Sequence, residues 1–271
     1  MRNANFLPTR SPRRPKNSAP SGRTAKPTPN VASVLRKAAV LLSEAVDVEA
    51  VAALRPDLIV GVSAGLTPEE YEQLSAVAPV IVQPPGVPDY QGTWQDQTRL
   101  IGRALGRSQR AEELVAEVEG RLADVRAAHP EFEGIEATVS FALVETQIGA
   151  YPPADARGQL LVDLGMVIPP EIEELAGGSF YAAFSYEEIE RLDRDLLVWI
   201  TSEPDVVERI RSNPLRQGLD AYAEGREVFL SQLEAGAASF SSVLSLPYLL
   251  ETLVPKFEAA VDGDPATEVP G

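Results

Sequence analysis

Thr93–Pro130 reads TWQDQTRLIGRALGRSQRAEELVAEVEGRLADVRAAHP. Thr93 and Asp96 have the spacing of a helix N-cap box, and Leu100, Ile101, Ala104 and Leu105 then recur at helical spacing. Gly106 is placed to serve as a left-handed cap and Ser108 to restart a helix. Beyond it Ala111, Leu114, Val115, Val118, Leu122 and Val125 form one apolar stripe, with Glu112, Glu113, Glu117, Glu119 and Asp124 mostly off it. Nothing breaks this pattern before Pro130, so Gln109–His129 spans roughly 30 Å at ~1.5 Å per residue. With strand signals on both sides, a rod of that length reads as a spine between two lobes. The plainer alternative is a long amphipathic helix packed on one sheet.

A repeat supports the two-lobe reading. Residues 46–62 are VDVEAVAALRPDLIVGV and residues 184–200 are FSYEEIERLDRDLLVWI. At one constant offset Glu49 matches Glu187, Val51 matches Ile189, Leu54 matches Leu192, Asp57 matches Asp195, Leu58 matches Leu196 and Val60 matches Val198. Each copy gives a helix, a turn and a buried strand in the same register. The residues between predict a helix opened by Thr67 with Pro68 at its first position, a strand at Val80–Gln83, and a stiff proline loop carrying Tyr90 and Trp94. After the spine come a strand at Thr138–Val144, a loop at Gln147–Arg157, a helix at Gly158–Leu164, a loop at Leu175–Phe184 and a strand at Leu196–Thr201. Pro204–Arg211 is expected as helix and Val228–Leu230 as a strand. Ala235–Ser242 is expected as a small-residue loop. Val243–Val261 is expected as a helix interrupted near Pro247 and Pro255, and the tail after Gly263 is expected to fray. Alternating strands and helices imply mostly parallel sheets, with ligands at the carboxyl ends of the strands.

Charge divides the chain. Residues 1–43 hold nine Lys/Arg and no Asp/Glu, whereas the remaining fifteen Lys/Arg face all forty acidic residues. The acidic body argues against nucleic acid as a partner, because phosphates would be repelled. The first thirty residues have a composition that does not support a packed core. Ala32–Ala45 suits a short helix. Arg13–Arg14 is not followed by an apolar run, so it is not an export signal. Cysteine is absent, which removes disulfides, thiolate zinc sites and cysteine nucleophiles.

Few motifs carry chemistry. Gly61-Val62-Ser63-Ala64-Gly65 matches G-x-S-x-G between a strand and a helix, the context of a nucleophile elbow. A hydrolase built on Ser63 needs a histidine after a late strand, and the only histidine, His129, ends the spine helix. No phosphate-binding glycine motif occurs. With one His and no Cys, metal ligation falls to carboxylates, and no acidic spacing resembles a calcium loop. Tyr90, Trp94, Tyr151, Tyr181 and Phe240 fall in strand-end loops or at loop–helix junctions, which tilts them from core toward a cleft. Arg157 is either a surface ion pair or a clamp for an anionic ligand.

The run VDVEAVAALRPDLIVGVSAGLTPEEYEQLSAVAPVI resembles the first-lobe motif of the substrate-binding proteins of iron-siderophore ABC transporters. QDQTRLIGRALGR at Gln95–Arg107, ARGQLLVDLG at Ala156–Gly165 and SFSSVLSLPYLLETLVP at Ser239–Pro255 resemble the same family. The resemblance implies an α/β protein of two Rossmann-like lobes with mostly parallel sheets, joined by one long helix. In that division residues 44–93 form a partial first lobe, 94–129 the linking helix, 130–262 the second lobe and 263–271 a tail. Residues 1–43 are set apart as a disordered basic segment unlike the family.

The implied function is capture of a ferric siderophore in the cleft and delivery to a membrane permease by a non-enzymatic, monomeric protein of the cell envelope. The siderophore would hold the iron, so no cofactor is implied. Tyr90, Trp94, Tyr151 and Tyr181 would pack on the chelate, Arg157 would meet its negative charge, and Ser239, Phe240 and Ser241 would line the last cleft loop. Glu69 or Glu70 and Glu208 are the candidates for docking on permease arginines. A cobalamin or haem carrier of the same fold is an alternative, with haem disfavoured because only His129 offers an axial ligand. The family's export signal and its first two strand–helix units are not recognisable before Val46, which suggests a frameshift, truncation or wrong start.

Overall fold

A computed structural model describes residues 46–270 apart from 89, 145 and 202. The basic segment and the helix expected at Ala32–Ala45 lie outside the described residues.

Helix α1, Val48–Ala53, begins where the Asp47 side chain accepts a hydrogen bond from the Ala50 N–H at 2.9 Å. Strand β1, Ile59–Gly61, follows, then helix α2, Pro68–Ser75. Thr67 and Glu70 form a reciprocal capping box at the head of α2, the pattern expected of T-P-E-E. Strand β2, Val80–Val82, pairs with β1 in parallel, with Ile59 opposite Val80.

Residues 94–129 form two helices, divided at Gly106 as the cap and restart signals predict. Helix α3, Trp94–Ala104, is capped by Thr93, and helix α4, Ser108–Ala128, restarts after Gly106 at φ +65°. The two fold back on each other. Arg99 Nε donates to Glu112 at 3.1 Å, and Gln95 reaches Glu119. Gly102 lies so close to Ala111 that a Cβ there would collide with the alanine methyl. Only α4 is the rod of about 30 Å. It buries Ala111, Val115, Val118 and Leu122, four members of the expected stripe.

The second sheet runs β5-β4-β3-β6-β7. Strand β3 is Ala137–Val144, β4 Gln147–Ala150, β5 Ala182–Ser185, β6 Leu196–Trp199 and β7 Glu227–Phe229. β3–β6 and β6–β7 are parallel, but β3–β4 and β4–β5 are antiparallel, so this sheet is mixed where a mostly parallel one was expected. The loop expectations at 147–157 and 175–184 are corrected accordingly, since the first contains all of β4 and the second the first three residues of β5. Gly149 permits the hairpin, because a Cβ there would strike the Phe141 ring across the pair. The repeat holds at strand level: residues 59–61 of β1 correspond to 197–199 of β6. Its helical part is α1 in the first copy and a 3-10 helix, Tyr186–Leu192, in the second.

All four residues of β6 are buried, and Trp199 donates its indole N–H to Glu227, which is itself paired with Arg216 at 2.7 Å. Helix α5, Ala156–Asp163, and helix α6, Pro170–Ala176, lie between β4 and β5 in sequence. Helix α7, Pro204–Arg211, and the short α8, Asp220–Ala223, lead to β7. Most of the stretch expected as a small-residue loop, Ala235–Phe240, belongs to helix α9, Gln232–Phe240, opened by a Ser231–Glu234 capping box. Helix α10, Ser245–Val261, runs unbroken through Pro255, correcting the expected interruption. Buried Lys256 of α10 bonds Glu234 at 2.9 Å and ties these helices together. The tail is also not frayed: Thr267 bonds Asp262 at 2.7 Å and Val269 packs on the core.

Candidate ligand-binding site

The loop after β1 places Gly65 at φ +58°, and the Tyr90 hydroxyl occupies the space that a Cβ of Gly65 would need. Tyr90 itself adopts φ +66°, a conformation costly for a bulky residue, on the order of 1–3 kcal/mol. Next to it Gln91 Nε2 donates to the Gly178 carbonyl at 3.1 Å. The proline loop after β2 is thereby fastened to the loop before β5.

From Tyr90 an aromatic run crosses to the second sheet. The Tyr90 and Phe180 rings are 5.0 Å apart, Phe180 and Tyr181 4.8 Å, Tyr181 and Phe141 5.6 Å, and Phe141 and Tyr151 4.7 Å. The Arg157 guanidinium ends the run, 3.7 Å from the Tyr151 ring centroid. Such a run combines broad apolar contact with π faces, and the cation adds donors at its end.

Arg157 is not a free cation. Its Nε and Nη2 donate to the two carboxylate oxygens of fully buried Asp155 at 2.6 and 2.7 Å, and Asp155 also caps α5 by accepting from the Arg157 backbone N–H. Burial alone would lower the arginine pKa, but the Asp155 hydrogen bonds and charge outweigh it and the net shift is upward. A ligand meets a neutral ion pair whose Nη1 donors remain. Of the two readings of Arg157, the ion pair is present, and it is buried and not at the surface. Burial pushes the Tyr151 phenol up to about 12, so it stays protonated and donates rather than accepts as a phenolate.

Tyr90, Tyr151, Arg157 and Tyr181 are brought together as expected. Trp94 is not among them. At 4% exposure it belongs to the core, and its indole N–H is directed at Asp163 without a hydrogen bond of normal geometry. As the first residue of α3 it is carried under the helix pair instead of into a cleft loop. Ser239 and Ser241 turn their hydroxyls back onto the Ala235 and Ala238 carbonyls of α9, and Phe240 is 66% exposed with no ring contact to the aromatic run among the described residues. Phe141 and Phe180 are the residues that sequence reading did not assign to the site. Phe141 follows from strand alternation once β4 is known to be its partner.

Of the acidic candidates, Glu70 is spent on its capping box. Its backbone and hydroxyl hydrogen bonds from Thr67 hold its carboxyl below the usual range. Glu69 and Glu208 are exposed and without an ion pair among the described residues. Ser63 has no histidine partner: His129 Nδ1 faces Glu131 at 2.9 Å and Glu258 at 3.3 Å. The hydrolase alternative therefore has no nucleophile–base pair among the described residues.

The sequence matches the periplasmic binding protein family over residues 16–232. The chain belongs to that family. The match begins inside the basic segment that had been set apart from the resemblance and stops short of the Ser239–Pro255 motif. This periplasmic binding protein is 27% identical, over 164 residues, to the probable siderophore-binding lipoprotein YfiY of Bacillus subtilis. That stretch is 59% of this chain and 48% of the relative, so the chain spans about half the length of the curated relative it matches. A periplasmic solute binding protein from Mycobacterium smegmatis superposes with TM-score 0.70 at 29% identity, over 81% of this chain and 74% of that one. The iron uptake ABC transporter substrate-binding protein PiaA from Streptococcus pneumoniae gives TM-score 0.68 at 25% identity, over 82% of this chain and 77% of that one. Among the described residues no helix is long and apolar enough to cross a membrane.

Proposed function

We propose that this chain is the solute-binding component of an ABC importer, taking a ferric siderophore against the aromatic run and presenting it to a membrane permease at the cell envelope. The observation that carries this reading is the run itself. Rings from the loop after β2, the loop before β5, strand β3 and the end of β4 form one continuous line that ends at Arg157. A ferric chelate is bulky, partly apolar and rich in oxygen acceptors, so it suits a surface of π faces with guanidinium and phenol donors. The names of the Bacillus and Streptococcus relatives, siderophore-binding and iron uptake, agree with it. Glu69 and Glu208 are the proposed contacts for permease arginines. The protein acts by binding and carries out no catalysis.

The test is native mass spectrometry of the full chain with a ferric hydroxamate and a ferric catecholate. A one-to-one complex that includes iron, and that is lost in Tyr181→Ala, supports the reading. Free protein only, with both chelates in excess, contradicts it.

A further inference from the structure

The end of α4 and the last turns of α10 hold a second cluster, made of elements that give nothing to the aromatic run. The single histidine, His129, follows α4, Glu131 lies in the 3-10 turn Pro130–Phe132, and Glu258 lies on α10. One ligand atom from each lies within 4.8 Å of the others. We infer that His129, Glu131 and Glu258 form a binding site for one divalent transition-metal ion of the zinc class, which fastens α10 to the end of α4.

Three observations support this. First, both carboxylates approach the same nitrogen: Nδ1 lies 2.9 Å from Glu131 Oε1 and 3.3 Å from Glu258 Oε1. A ring nitrogen carries at most one N–H and so makes one strong hydrogen bond, leaving the second carboxylate without a donor of its own. A cation between the three atoms satisfies all of them and removes the repulsion between two carboxylates in a chain of net charge −16. Second, the spacing suits small ions. Zinc–nitrogen and zinc–oxygen distances of about 2.0–2.2 Å place tetrahedral ligand atoms roughly 3.3 Å apart. The Glu258 contact has that value, and the Glu131 contact needs to open by a few tenths of an ångström. Third, the imidazole is held in place. It stacks on fully buried Phe132, ring centroids 5.1 Å apart and planes 15° from parallel.

Imidazole with two carboxylates favours zinc and its neighbours over magnesium or calcium, which prefer all-oxygen shells. The fourth position would be water.

The test is calorimetric titration of the tag-free full chain with zinc chloride, with magnesium chloride as the control, repeated on His129→Gln and Glu258→Gln. Glu258 is exposed, so its variant retains the fold. One zinc per chain, weakened about tenfold or more in each variant and accompanied by a zinc-dependent rise in Tm that both variants lose, supports the site. Absence of micromolar zinc binding, or binding unchanged in either variant, overturns it.

Discussion

The Arg157 guanidinium is gripped by fully buried Asp155 through two hydrogen bonds while it lies over the Tyr151 ring. The pair therefore shapes the site as well as stabilising it. Asp155→Asn removes the buried negative charge and weakens the cap of α5. Breaking a buried pair from one side costs on the order of 3 kcal/mol. The urea midpoint of Asp155→Asn should fall accordingly. An unchanged midpoint would show that the pair is not formed in solution.

The aromatic run predicts graded losses. Phe180→Ala interrupts it between Tyr90 and Tyr181, and affinity for a ferric chelate should drop by about tenfold or more while the melting transition stays cooperative. Phe240→Ala, far more exposed and outside the run, should change affinity little. Equal losses in both variants would contradict the placement of the site.

Gly102→Ala tests the helix pair. The added methyl meets Ala111, and overpacking of this kind costs about 1–3 kcal/mol. A urea midpoint equal to that of the unaltered protein would mean that α3 and α4 do not pack as described.

Two carboxyls give opposite pH responses. The Glu234 pKa is the net result of burial raising it and of the Ser231 and Lys256 hydrogen bonds lowering it, with the lowering dominant. A folded pKa below the unfolded value gives stability that is present above about 4.5 and is lost as pH falls through the folded value. Asp163 is the reverse. Burial raises its pKa against the Gln159 and Trp94 contacts, so its ionisation opposes folding above its ordinary value of 3.8. In urea melts from pH 7 to pH 3, Glu234→Gln should be less stable than the parent at neutral pH and converge with it in acid. Asp163→Asn should be more stable at neutral pH and also converge. Parallel curves for either variant would contradict the assigned shift.

Much of this was legible in the sequence wherever one local signal decided the outcome. Thr67 and Thr93 cap the helices they precede, Gly106 adopts the left-handed turn, and the stripe from Ala111 to Leu122 is the buried face of α4. What escaped depended on distant partners. QIGA and AAFS become strands only because each pairs across a hairpin or sheet, and four residues with a glycine or two alanines carry no alternation to read. AGAASF at Ala235–Phe240 reads as a loop because its residues are small, yet the Ser231–Glu234 box and the buried Lys256 contact place it in a helix. Trp94 shares a strand-end position with the aromatics of the candidate run, and only the fold shows that it faces inward. His129 and Glu258 are too far apart in the chain for spacing to unite them.

Under the proposed function the aromatic run and Arg157 bind an iron-loaded chelate. The most direct measurement is a fluorescence titration of the full chain with one siderophore in its ferric and metal-free forms. The expected result is saturable quenching by the ferric form at micromolar or lower concentration, with the midpoint raised about tenfold or more in Phe180→Ala. No saturable change, from protein that melts cooperatively, would contradict it.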